Sequence, residues 1–444
     1  MKSRSIITTL LLLFVTVFSI SLASTLIPSL IGSLAQADDD DQLRASFPHD
    51  ATFTTLITTP RAIEGLTGDG VNNLYVGGSG NAPCPIWQIN LHKPSLTVVG
   101  TVPAAATPAG TCGFSGIAFD AAGNLYQADG GAGRIYTLKP NAASPPVATI
   151  FAQGAPGTNG LAFDRHGNLW TGDGTTGQGR VWKITGSGAN CASSPAVNCV
   201  EVFRIQPMSN EVNLVAGVGG VGRDVRALPP GTITVTPTSR NAANTAGSQP
   251  LVANGIAFDH DGNTMFVIDT ARGALWKVEF DANGNLKSPT GCDTTFTDNT
   301  LCLSNVFVAH PILEGGDGIA LDVAGNIWVD ANERNAVAVV TKSGRVSEVF
   351  RNPVNASDLR NSADAAVGNN HILEFPTSPF LTGKVLCTSQ SDGDRRDNSP
   401  RAAGEVNAGL AVNGTNQLGK ISCMDQELKI PGLRLPITVK SGGR

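Results

Sequence analysis

The chain is poor in charge. Only 15% of its 444 residues are Asp, Glu, Lys or Arg, and the net charge is -5. No basic stretch stands out, which argues against nucleic acid as a partner. Aromatic residues are scarce at 6%. No G-x-S-x-G occurs, so a serine-nucleophile elbow has no place here. The absence of C-x-x-C removes the usual cysteine metal sites and redox motifs. The 6 histidines form no pattern: His166 and His260 fall in turn sequences, and His310 precedes a proline. Only the N-terminal apolar run is long enough to span a bilayer, so no stable membrane insertion of the mature chain is expected.

What is abundant is glycine (51) and proline (26). That mix suits many short strands joined by tight turns and disfavours a helical protein. At the N-terminus, Lys2 and Arg4 precede the apolar "IITTLLLLFVTVFSISLA", followed by Ala35-Gln36-Ala37 and an acidic run. This reads as a signal peptide over 1–37 cleaved after Ala37, with an uncleaved anchor as the alternative. A secreted or periplasmic location follows. The 8 cysteines fall in neighbouring pairs, Cys84 and Cys112, Cys191 and Cys199, Cys292 and Cys302, Cys387 and Cys423. An even count in an exported chain suggests disulfides, although sequence alone leaves the connectivity open.

Self-similarity is the strongest signal. "EGLTGDGVNNLYVGG" begins at Glu64, "SGIAFDAAGNLYQADG" at Ser115 and "NGLAFDRHGNLWTGDG" at Asn159. "NGIAFDHDGNTMFVIDT" begins at Asn254, "DGIALDVAGNIWVDAN" at Asp317, and a degenerate copy, "PTSPFLTGKVLCTSQ", at Pro376. Each copy reads as a strand, a Gly-containing turn and a second strand. "RIYTL", "RVWKI", "ALWKV" and "AVAVV" supply a third strand and the "EVF" segments a fourth. Four short antiparallel strands per unit make a propeller blade, and blades must stack in a closed ring to bury their faces. The fold class is therefore all-β: a six-bladed β-propeller with a long inter-blade insertion. The propeller is expected over 61–430, behind an N-terminal segment (38–60) that supplies an outer strand closing the ring, and ahead of a C-terminal tail (431–444). Asn159 and Asn254 stand much further apart than the other starts. The excess, 206–250, lacks the repeat signature, so it reads as an insertion or lid rather than a seventh blade.

In a propeller the first strand of each blade lines the central channel. The polar residues that open those strands include Glu64, Asn159, Asn254 and Asp317. Two carboxylates and two amide oxygens converging on the axis fit a hard divalent cation, with Ca²⁺ first and Zn²⁺, Mn²⁺ or Mg²⁺ as the other candidates. The competing explanation is local: Asn-Gly and Asp-Gly favour turns. Recurrence at one phase of the repeat, away from the turn glycines, favours the site. Asp129, Asp173, Asp269 and Asn332 close the second strands, where they contact substrate or cap turns.

At these residues the chain resembles the gluconolactonase/regucalcin (senescence-marker-protein) family of six-bladed propellers, over roughly 64–390. The resemblance implies a divalent metal held by Glu64, Asn159, Asn254 and Asp317. It also implies hydrolysis of a lactone or related ester, with Asp317 as base or water-orienting group. Leu66-Thr67 after Glu64-Gly65, and Asn-Gly at Asn159, depart from the family's usual pattern. The insertion is expected to act as a lid, with Arg223 and Arg226 reading a polar substrate alongside Asp173, Asp269 and Asn332. The expected partner is a small molecule, and no obligate protein partner is evident. Rival readings are a non-enzymatic binding or structural propeller and strictosidine synthase-like chemistry.

Overall fold

The structure is a computed structural model that describes residues 47–48, 51–207, 251–313, 315–332, 335–351, 373, 375–391 and 419–437. Expectations on the leader (1–37) and on the insertion, Arg223 and Arg226 included, lie outside the described residues. Among the described residues there are strands and short 3₁₀ turns but no α-helix.

The strands fall into six four-stranded antiparallel cores and one two-stranded ribbon, β4 (Gly80–Asn81) with β7 (Thr111–Cys112). Blade 1 comprises β2 (Thr67–Gly68), β3 (Asn73–Gly77), β5 (Cys84–Asn90) and β6 (Leu96–Val102). Blade 2 comprises β8 (Phe114–Phe119), β9 (Leu125–Asp129), β10 (Arg134–Leu138) and β11 (Thr149–Gln153); its outer edge adds the short parallel β15 (Ala189–Asn190). Blade 3 runs β12 (Thr158–Phe163), β13 (Leu169–Asp173), β14 (Arg180–Ile184) and β16 (Cys199–Arg204). Blade 4 runs β17 (Ile256–Phe258), β18 (Thr264–Asp269), β19 (Ala274–Glu279) and β20 (Val306–Ala309). Blade 5 runs β21 (Gly316–Leu321), β22 (Ile327–Ala331), β23 (Ala336–Val340) and β24 (Val346–Arg351). In blade 6, β25 (Pro376–Thr382), β26 (Val385–Gln390) and β27 (Lys420–Met424) are completed by β1 (Phe53–Thr58), which pairs antiparallel with β27. The ring therefore closes through a strand from the opposite end of the sequence.

The core lies between blades. Trp170, Val181 and Phe203 of blade 3 pack with Phe258, Met265 and Trp276 of blade 4. Leu66, Leu74 and Trp87 of blade 1 pack with Phe380 and Ile421 of blade 6. Each such large side chain contributes roughly 1.5–3 kcal/mol by leaving water. The aspartate of each "D…GN" turn organises the hairpin beneath. Asp164 accepts from the backbone N–H of His166 (2.8 Å) and Asn168 (2.9 Å), and its other oxygen from Trp170 Nε1 (2.9 Å). Asp322 repeats this with Ala324, Asn326 and Trp328. Fixed turns of this kind set the register that aims the opposite strand ends at the axis.

The cysteines join as sequence neighbours: Cys84–Cys112, Cys191–Cys199, Cys292–Cys302 and Cys387–Cys423. Cys387–Cys423 links β26 to β27, within the sheet that closes the ring.

Candidate axial site

The inner strands approach one another more closely than side chains allow. A Cβ on Gly65 would stand 2.3 Å from the carbonyl oxygen of Ser115, and one on Gly116 would stand 2.2 Å from that of Asn159. The series continues from Gly160 to Asn254 (2.6 Å), Gly255 to Asp317 (2.5 Å) and Gly318 to Thr377 (2.4 Å). The circle closes where the Thr377 hydroxyl donates to the Glu64 carbonyl at 2.8 Å, with the Ser389 hydroxyl as a second donor. None of these five glycines has a positive φ. Glycine is needed here for space, not for a turn, which explains the Asn-Gly and Asp-Gly pairs. Gly160 meets Asn254 directly, so no blade intervenes between blades 3 and 4.

Most of these strands also bulge at the polar–Gly pair. Register shifts lie between Phe114 and Ile117, Thr158 and Leu161, Gly316 and Ile319, and Pro376 and Ser378. A bulge releases residues from the ladder and re-aims their side chains. The result is a cavity of about 60 Å³ on the axis, lined by Asn159, Asn254 and Asp317, their glycines and Ser378. Three of the four expected ligands thus meet at one place. Glu64 is half-buried and is not among the lining residues. Asp317 is the one carboxylate in the lining, and among the described residues no group of three or more His, Cys, Asp or Glu stands ready to hold a metal.

Asn254 is 1% exposed. Its amide nitrogen donates to Thr270 Oγ1 at 3.1 Å, and Thr270 in turn donates to the Gly316 carbonyl at 2.6 Å. With the nitrogen committed, Oδ1 is left buried and without a partner. Such an acceptor carries a penalty of about 1–3 kcal/mol unless something donates to it or coordinates it. Asp317 is held similarly: Asn332 Nδ2 donates to its Oδ2 at 2.8 Å. Thr270 and Asn332 occupy the same repeat position, just after the second strand. In blade 3 that position is Gly174, where a Cβ would stand 2.6 Å from Asn159 Nδ2. Thr270 is not singled out by the sequence, which groups Asn332 with Asp129, Asp173 and Asp269. In the structure Ala331 is in register with those aspartates, and Asn332 falls one residue later, with Thr270.

The acids closing the second strands have other partners. Asp173 is fully buried and accepts from Arg180 Nε (2.9 Å), the Thr176 backbone N–H (2.9 Å) and the Thr176 hydroxyl. Burial pushes its carboxyl above the usual range, against the opposing pull of Arg180. Asp269, also fully buried, accepts from Arg272 Nη1 (2.6 Å) and Trp276 Nε1 (3.2 Å). Asp129 caps the N–H groups of Gly113 (3.2 Å) and Ala132 (3.0 Å). These three brace loops around the cavity and do not line it.

Below the polar cavity lies an apolar one of about 100 Å³. Leu66, Ile117, Leu161, Ile256, Ile319 and Pro379 line both, forming a girdle on the axis.

An oxygen-lined cavity at the hub of six stacked blades places the molecule among six-bladed β-propellers with an axial site. A family model described as the SMP-30/Gluconolactonase/LRE-like region matches residues 213–358. The likeness read from the repeats is therefore to the family that this segment matches, and the fold is a six-bladed β-propeller. No curated protein matches the chain. Among solved structures, a calcium-binding protein, regucalcin, from Agrobacterium tumefaciens is 18% identical, with 88% of this chain and 99% of that one covered at a TM-score of 0.46. A putative gluconolactonase is 14% identical, with coverage of 88% and 96% and a TM-score of 0.46. The PQQ-bound aldose sugar dehydrogenase of Streptomyces coelicolor is 13% identical, with coverage of 85% and 100% and a TM-score of 0.46. At these identities and scores the matches assign neither an activity nor a ligand to this chain.

Proposed function

We propose that the protein is an exported, metal-dependent hydrolase of a lactone or related ester. The observation that carries this reading is the convergence of Asn159, Asn254 and Asp317 on one buried axial cavity, with Asn254 Oδ1 left without a partner. The donors are hard oxygens, one charged and two neutral, and suit Ca²⁺ better than a softer ion. Asn159, Asn254 and Asp317 would hold the ion, and Glu64 is the fourth ligand of the proposal. When bound, the ion supplies Lewis-acid polarisation of an ester carbonyl. Asp317 takes a proton from the attacking water, a role worth about 10²–10⁴-fold. Asn332 orients that carboxylate from behind. The girdle below keeps the floor of the site dry. Asp173 and Asp269 would shape the approach to the site rather than touch the reacting bond.

Export is part of the proposal. Four disulfides suit an oxidising compartment. Among the described residues no helix is long and apolar enough to cross a membrane. N-terminal sequencing of the secreted chain should begin after Ala37.

A screen of lactones and aryl esters, with and without chelator, tests the chemistry. Calcium should bind by calorimetry, and chelator should abolish turnover. Asp317→Asn should lose about 10²–10⁴-fold in turnover while the thermal midpoint without added calcium is retained. A single carboxylate in the lining also favours a second reading, a propeller that binds a small polar ligand without chemistry. Calcium binding with no turnover across the screen would establish that reading and overturn the first.

A further inference from the structure

The apolar end of the axial channel is built from the far ends of the inner strands and from the C-terminal segment. Phe119, Phe163, Phe258, Leu321, Phe380 and Leu381 form its wall. Leu433, Leu435, Pro436 and Ile437 line it from the tail. Thr67 supplies the one side-chain hydroxyl in the lining. A cavity needs two to four polar partners per molecule to hold water well, and one lined by Leu, Ile and Phe stays dry. At about 100 Å³ the space approaches the ~150 Å³ of an engineered apolar cavity in another protein that takes up benzene or xenon.

Three backbone hydrogen bonds pin the tail at 431–433. Val323 N–H donates to the Pro431 carbonyl (3.0 Å), Gly432 N–H to that of Gly383 (2.7 Å) and Leu433 N–H to that of Leu321 (2.8 Å). Gly432 must be glycine, because a Cβ there would stand 2.2 Å from Leu381 Cβ. Past this pin, among the described residues, no backbone hydrogen bond holds 434–437. Those residues reach across by apolar contact alone: Ile437 packs on the cluster around Trp170 and Phe258, while Leu435 remains 50% exposed. Leu435, half-exposed, lies beside a cavity lined mainly by apolar side chains, and non-directional contacts hold it there.

We propose that this chamber is a binding site for a small hydrocarbon group, such as the alkyl or aryl end of a ligand, with Arg434 to Ile437 as its movable cover. The site is separate from the polar cavity above the girdle, and it stands whether or not that cavity hydrolyses anything. A ligand enters by displacing the cover about the Gly432–Leu433 pin and replaces unfilled space with contacts to the phenylalanines.

Benzene is the probe. Titrated calorimetrically into the full chain, it should bind saturably at one site. Leu433→Trp fills the chamber from its floor and should weaken binding at least tenfold. Should that variant misfold, Leu381→Trp fills it from the wall. Deleting 434–444 removes the cover and should weaken binding severalfold while the protein still unfolds in one cooperative urea transition. Asp317→Asn should bind benzene as the unaltered protein does. Absence of saturable binding, unweakened binding in a folded filling variant, or loss of binding in Asp317→Asn would each overturn the proposal.

Discussion

Gly255→Ala is the sharpest test of the axial ring. A Cβ at this position would lie 2.5 Å from the Asp317 carbonyl oxygen and 2.9 Å from Ile319 N, both backbone atoms that no rotamer change can move. Gly255 N–H also donates to that same carbonyl at 2.9 Å. Overpacking of a tight contact costs about 1–3 kcal/mol, and a strained or lost hydrogen bond adds about 0.5–1.5 kcal/mol. The alanine recovers about 0.4–1 kcal/mol by restricting the unfolded chain. The net loss expected is about 0.5–4 kcal/mol, read as a lower urea midpoint at unchanged slope. Gly131→Ala is the control: its nearest neighbour would be 3.7 Å away, and its φ is not positive. That change should stay within about 0.5 kcal/mol. If the two variants unfold at the same urea concentration, the inner strands do not touch as described, and the shared cavity loses its basis.

Asp330 tests an inter-blade contact. It is fully buried, with one oxygen accepting from Thr388 and the other without a partner, and burial raises its carboxyl well above the ordinary range. A raised native value means that the protonated form is favoured on folding. Its contribution is therefore fully present below about pH 3.9, the unfolded value, and is lost as pH rises through the native one. Asp330→Asn should match the wild type near pH 4 and melt higher at pH 8; equal midpoints at both would refute this. Arg180→Met strands the buried Asp173 carboxylate and should cost about 3–5 kcal/mol in denaturant titrations at pH 7, whereas a loss under 1 kcal/mol would show that the ion pair is dispensable. Asn332→Leu removes the donor behind Asp317 and should lower calcium affinity about 10–100-fold by calorimetry. An unchanged affinity would separate Asp317 from the proposed ion.

The ring was legible because its constraint repeats. Every inner strand must pass the same crowded axis, so the polar–Gly pair and the "D…GN" turn recur in phase; that phase points to Glu64 and Ser115 as well as to Asn159, Asn254 and Asp317, and only the last three line the cavity. The meaning of the glycine was not legible. Asn-Gly reads equally well as a turn, and only the neighbouring carbonyl 2–3 Å from an imagined Cβ reveals a close approach. Asp173 and Asp269 share a phase too, but theirs is set by the loops they cap, with Arg180 and Arg272 taking up their charge. Thr270 and Asn332 sit in register as well, yet their roles depend on which side chains meet across the hairpin, which leaves no mark in hydropathy. Nothing in the pattern of 431–437 places that segment against the axis, because it belongs to no repeat.

The pairing of β1 with β27 has a consequence for biogenesis. The partners, such as Phe53 with Met424, stand almost a whole chain apart in sequence. Contacts so remote form late, because the intervening chain must be ordered first. Until Lys420–Met424 has been made, Phe53–Thr58 has no strand to join, and the edge that β27 will offer does not exist. An incomplete chain therefore presents an unpaired strand at its beginning, a surface prone to aberrant association. The completed molecule hides both edges in one stroke.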